Sequence, residues 1–130
     1  MLVKELDRVE PVQAADYSEL RELLHPDRDP VPIRHSLAHA VIEPGQSSLR
    51  HRLKAVEVYY FLSGRGLMHV GDEVAPVGPG STVAVPAGQA QWVDNPGHES
   101  LTFLCIVDPP WQETDEETLE NSREQGHRPD

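Results

Sequence analysis

Turn signals recur through the middle of this chain at near-regular spacing: Gly64-Arg65-Gly66, Gly71-Asp72-Glu73, Gly78-Pro79-Gly80, Pro86-Ala87-Gly88 and Asp94-Asn95-Pro96-Gly97. The runs between them are rich in valine, leucine, tyrosine and phenylalanine and too short for helices. This punctuation predicts eight strands, near 35–43, 49–53, 56–62, 66–70, 73–77, 81–85, 90–93 and 101–107. Eight short strands with no long helix imply an all-β sandwich or barrel. Segment 17–25 fits two patterns, because Leu20, Leu23 and Leu24 are spaced for a helix face while Leu20, Glu22 and Leu24 alternate as on an edge strand. Pro26 ends it in either case, and Pro30 and Pro32 make an extended connector into the β-rich body.

At 130 residues the chain is read as one domain, with an N-terminal arm over 1–34, a β body over 35–107 and a tail over 108–130. Eleven Lys and Arg stand against 22 Asp and Glu, for a formal charge of -11. Such a surface repels phosphate backbones and anionic membranes, which argues against nucleic acid or a membrane as partner. Cys105 is the only cysteine, so no internal disulfide forms. With no signal-peptide core and no long apolar run, the expectation is a cytoplasmic protein. Over half of the net charge lies in the tail, where eight acids face two bases. Thr114 followed by Glu117 has the form of a capping box, so a short exposed helix is expected from there toward Gly126, or else a solvated acidic tail.

Two segments in the body carry a more specific signal. Gly45, His51, Leu53, Glu57 and Gly64 form one, and Gly80, Pro86, Gly88, Gln91 and Asn95 form the other. Their spacing resembles the two motifs of the cupin superfamily, and the chain is identified from them as a small single-domain cupin of the conserved-barrel type. Two positions depart from the pattern, since Leu53 and Gln91 stand where the family places metal-binding histidines. The resemblance implies a double-stranded β-helix, or jelly roll, in which the glycines and Pro86 are architectural.

On a strand His51 and Leu53 share one face, and Glu57, Tyr59 and Phe61 share another. The resemblance implies that these faces line the barrel. The metal-binding set carried over from the motifs is His51, Glu57 and Gln91, with Leu53, Tyr59 and Phe61 lining a pocket for a small polar molecule such as a sugar or organic acid. An imidazole, a carboxylate and an amide oxygen suit a divalent cation with open positions. Metal-assisted isomerisation, decarboxylation or oxygenation are the reactions such a centre implies. The competing reading is a metal-free binding or sensing module, for which Leu53 speaks, with His51 and Glu57 as a hydrogen-bonded pair. Without metal, Glu57 beside Tyr59 in an apolar pocket and His51 are candidates for acid–base catalysis.

His39 and His69 are the best placed substitutes for the missing imidazoles, whereas His25, His98 and His127 are expected at the surface. Cys105, between Leu104 and Ile106, reads as a packed thiol. If Gln91 points inward, Trp92 points outward and needs cover, which together with the resemblance suggests a homodimer. Trp111 is expected to fold back over the barrel or to clip onto a partner. A third reading is an interaction protein working through Trp92, Trp111 and the acidic tail.

Overall fold

The computed structural model describes residues 1–120. Two antiparallel sheets face each other, and no α-helix occurs among the described residues. The first six strands are β1 (Val12–Gln13), β2 (Glu19–Leu24), β3 (Ser36–Ile42), β4 (His51–Leu53), β5 (Val56–Ser63) and β6 (Gly66–Val70). The remaining five are β7 (Glu73–Val77), β8 (Thr82–Val85), β9 (Gln91–Asp94), β10 (Leu101–Asp108) and β11 (Glu116–Thr118). One sheet runs β1-β2-β3-β10-β5-β8 and the other β11-β4-β9-β6-β7. From β3 to β11 the chain crosses between the sheets at every step except the β6–β7 hairpin, which gives the jelly roll.

Alternation along the strands sets what faces inward. In β10 Leu101, Phe103, Cys105 and Val107 are buried while Thr102, Leu104 and Ile106 are half-buried on the other side. Glu57, Tyr59 and Phe61 of β5 point inward in the same way, as do His51 and Leu53 of β4 and Gln91 and Val93 of β9. The main core gathers Ile42, Tyr59, Phe61, Met68, Val93 and Phe103 between the sheets. Phe61 and Phe103 pack ring to ring at 5.1 Å.

The motif glycines serve this path. Gly64 has φ +81°, and a Cβ there would collide with the carbonyl oxygen of Ser100. Gly80, at φ +88°, turns the chain so that its amide donates to Phe61 O at 2.8 Å. Asn95 is fully buried and donates through Nδ2 to Ile42 O and Glu99 O, at 2.9 and 2.8 Å, so it ties loop to strand.

Segment 17–25 is resolved in favour of the strand: Glu19–Leu24 pairs antiparallel with β3. The capping-box helix does not form. Glu113–Asp115 is a single 3-10 turn, Glu116–Thr118 is a strand, and Gly126 lies outside the described residues. The tail's first part is therefore not a solvated extension. Its backbone completes the edge of β4, and Trp111 packs on Leu53, Ala55 and Val107. Tertiary packing and sheet hydrogen bonds here outweigh a local capping preference.

His25 also departs from expectation. It is 0% exposed, its Nε2 meets Trp111 O at 2.7 Å, and its Nδ1 accepts from the Asp27 amide at 3.1 Å. The N-terminal arm is thus pinned to the start of the tail through a buried imidazole.

Candidate functional site

A cavity of about 400 Å³ opens between the sheets at the end walled by the arm and the tail. Its floor is the inward face predicted from the motifs, with His51, Leu53, Glu57 and Tyr59 all lining it. Phe61 is fully buried in the core behind Tyr59, and Gln91 is fully buried with its Oε1 accepting from the Tyr59 hydroxyl. His51 and Gln91 are paired residues of β4 and β9. The six residues singled out from the motifs therefore lie in one neighbourhood, of which four reach the cavity.

His51 is oriented by its own strand's approach. Nδ1 lies 2.8 Å from Leu49 O, so this nitrogen donates and Nε2 is left with its lone pair. Nε2 faces Asp16 Oδ2 at 3.8 Å. Burial opposes charge on this ring, but Asp16 and then Glu57 outweigh it and raise its pKa above the usual histidine value. Glu57 is pushed up to about 7, chiefly because burial penalises the carboxylate, with His51 pulling in the opposite direction. Its Oε1 is buried without a hydrogen-bond partner. Burial, and next the nearby Glu57, push the Tyr59 hydroxyl and the Cys105 thiol well above their ordinary values. Cys105 is thus an inert thiol, as its apolar flanks suggested.

Two of the site's acids come from segments that carry no motif. Asp16 sits in a tight turn next to Tyr17, a non-glycine residue at φ +73°. Its Oδ1 accepts from the Ser18 amide and hydroxyl at 3.1 and 2.7 Å, and its carbonyl accepts from the Leu49 amide. Glu116, the first residue of β11, accepts from Trp111 Nε1 at 2.9 Å, and burial raises its pKa. Nothing in their local sequence marks either residue, since both reach the cavity only through long-range pairing.

The other described histidines do not line this cavity. His69 pairs with Asp94 Oδ2 at 2.7 Å and stacks on Trp92 with centroids 4.2 Å apart, on the outer face. Arg50 lies over the same indole at 5.8 Å, so the cover that Trp92 needs comes from its own chain. His39 faces outward from β3 opposite Arg21, and burial lowers its pKa. His98 is exposed as expected, and His127 lies outside the described residues.

The geometry can be set against known proteins. The Cupin domain family profile matches residues 38–107, more than half of the chain. The chain belongs to the cupin family. It is 37% identical over 117 residues to the uncharacterized protein MJ1618 of Methanocaldococcus jannaschii, covering 89% of this cupin and 93% of that protein. The Oxalate-binding protein of Thermotoga maritima is 28% identical over 71 residues, 54% of this chain and 59% of its own.

Solved structures share the fold. A predicted oxalate decarboxylase from Thermotoga maritima superposes with a TM-score of 0.74 at 22% identity, covering 83% of this chain and 99% of its own. The polyketide cyclase RemF of Streptomyces resistomycificus gives 0.77 at 18% identity, over 96% and 89%. At these identities the likeness is one of fold.

Proposed function

We propose that this cupin binds a small organic molecule in its barrel without a resident metal. The observation that carries the reading is the state of the two departing positions. Leu53 fills its slot with an apolar side chain packed on Ala55, Val107 and Trp111. Gln91 spends its amide oxygen on Tyr59. The donor set does not fit a divalent ion of the kind the resemblance implies: one imidazole remains, an apolar side chain stands at a second ligand position, and the amide oxygen at another is engaged by Tyr59. Among the described residues no group of three His, Cys, Asp or Glu is arranged to hold a metal ion. The cavity has instead the size and the apolar walls of a small-molecule site.

Elemental analysis of protein purified without chelator tests this, with His51→Ala and Leu53→His beside the wild type. Substoichiometric metal in wild type and in His51→Ala is expected, and Leu53→His is expected to lose stability without gaining metal. Near-stoichiometric metal that disappears in His51→Ala overturns the reading.

A specific observation favours a second role for the same pocket. Glu57, pushed up to about 7, shares one cavity with His51, whose pKa Asp16 and Glu57 raise, and such a carboxyl–imidazole pair can pass a single proton to or from a bound ligand. On that reading Glu57→Gln abolishes turnover while a neutral ligand still binds. Assembly is proposed from a third observation. Val56, Tyr60 and Leu62 are 42%, 42% and 41% exposed on the outer face of β5. Half-buried Leu104 and Ile106 lie beside them on β10. A second copy of the chain, laid on this sheet, would cover that patch.

A further inference from the structure

Five acidic side chains line the cavity: Asp16, Glu22, Glu57, Glu113 and Glu116. Only Arg28 and His51 oppose them. Arg28 is already committed, with Nε and Nη2 on the two Glu22 oxygens at 2.5 and 2.7 Å. Removing that pair leaves four carboxyl groups against one imidazole. Even with Glu57 protonated and His51 charged, Asp16, Glu113 and Glu116 keep the cavity negative. An anion entering it would meet repulsion in a partly desolvated space, where Coulomb terms are several times larger than in water.

Glu57 Oε1 supplies the second, independent observation. Glu57 lines the cavity and is 7% exposed; Cys105 hydrogen-bonds its carboxyl, but Oε1 itself has no hydrogen-bond partner. A buried carboxyl oxygen is costly to leave unpaired, and the residue that carries it lines the cavity. Asp16 Oδ2 faces the same space across from His51 Nε2. Around these acceptors the walls are apolar or aromatic, including Leu20, Leu53, Tyr59, Phe103 and Trp111. Resting on the metal-free reading above, we propose that the ligand is a small organic cation. Its ammonium or amidinium group donates to Glu57 Oε1 and Asp16, and a compact apolar body lies against the aromatic walls. Carboxylate acceptors beside aromatic faces stabilise such a group by charge-assisted hydrogen bonds and by cation–π attraction.

The test uses three probes of one shape on the full chain in the presence of chelator at near-neutral pH: phenethylammonium, phenylacetate and 2-phenylethanol, each titrated calorimetrically. Phenethylammonium is expected to bind at least about tenfold more tightly than phenylacetate, with the alcohol between them. Asp16→Asn and Glu57→Gln are each expected to weaken the ammonium by about fivefold or more and to leave the alcohol nearly unchanged. Thermal unfolding of both variants confirms that they fold, and Asp16→Asn carries the test alone if Glu57→Gln does not. Phenylacetate binding as tightly as phenethylammonium, or no binding of any probe, overturns the cation assignment and leaves the metal-free pocket standing. Binding that appears only when a divalent ion replaces the chelator overturns both.

Discussion

Glu57 and His51 make the site's pH behaviour a matter of sign. Both have folded pKa values raised above their ordinary ones, Glu57 from 4.5 to about 7. The folded state therefore binds more protons than the unfolded state between those limits, and stability falls as pH rises. For Glu57 the loss accumulates from about pH 4.5 to about 7 and amounts to something on the order of 3 kcal/mol. The raised His51 adds stability below its unfolded value and loses it as pH passes its folded value. Thermal unfolding across mildly acidic to mildly basic buffers is expected to show a falling Tm, and a shallower fall in Glu57→Gln. An equal slope in wild type and variant would contradict the assignment. Leu53 is tested separately: with 4% exposure and a packed environment, Leu53→Ala is expected to cost about 2–4 kcal/mol in denaturant unfolding. That His51, Leu53, Glu57 and Tyr59 share a cavity was legible from motif spacing and strand alternation. The partners that tune them were not, because Asp16 and Glu116 are ordinary surface-type acids until the chain brings them in.

The elements that close the site are the ones least visible in the linear pattern. Turn punctuation placed β3 through β10 within a residue or two of their limits, the edge strands β7 and β8 included. β2 and β11 lie outside that punctuated stretch. β2 reads equally as helix or strand until it pairs with β3, and β11 reads as the first turn of a helix until it pairs with β4. The contact that joins arm to tail, His25 Nε2 on Trp111 O, spans 86 positions of sequence and leaves no local trace. These edges are predicted to be functional walls. Trp111→Ala removes a ring packed on Leu53 and frees Glu116 from its hydrogen bond. A loss of about 2 kcal/mol in stability is expected, together with weaker ligand binding. Loss of stability with unchanged binding would show that the tail only braces the barrel.

At the scale of the whole molecule, charge and exposed apolar surface set the terms of association. No helix among the described residues is long and apolar enough to cross a membrane, and the chain's net charge of -11 disfavours anionic surfaces. The outer face of β5 and β10 departs from that polar exterior, with Val56, Tyr60 and Leu62 exposed on it. Sedimentation velocity is expected to give a dimer for the wild type and a monomer for Tyr60→Lys/Leu62→Lys, whereas a wild-type monomer would remove the second copy from the account. Strand alternation at Trp92 and the family resemblance suggested a homodimer, but Trp92 is covered by His69 and Arg50 and the uncovered patch lies on the opposite sheet. The central claim is that the barrel's His51–Glu57 pair holds a proton and not a metal. Carbon-13 NMR titration of the Glu57 carboxyl, with and without chelator, reads this most directly. The account predicts a midpoint of about 7 that chelator does not move. A midpoint below the ordinary carboxylate range, rising once chelator is added, would contradict it.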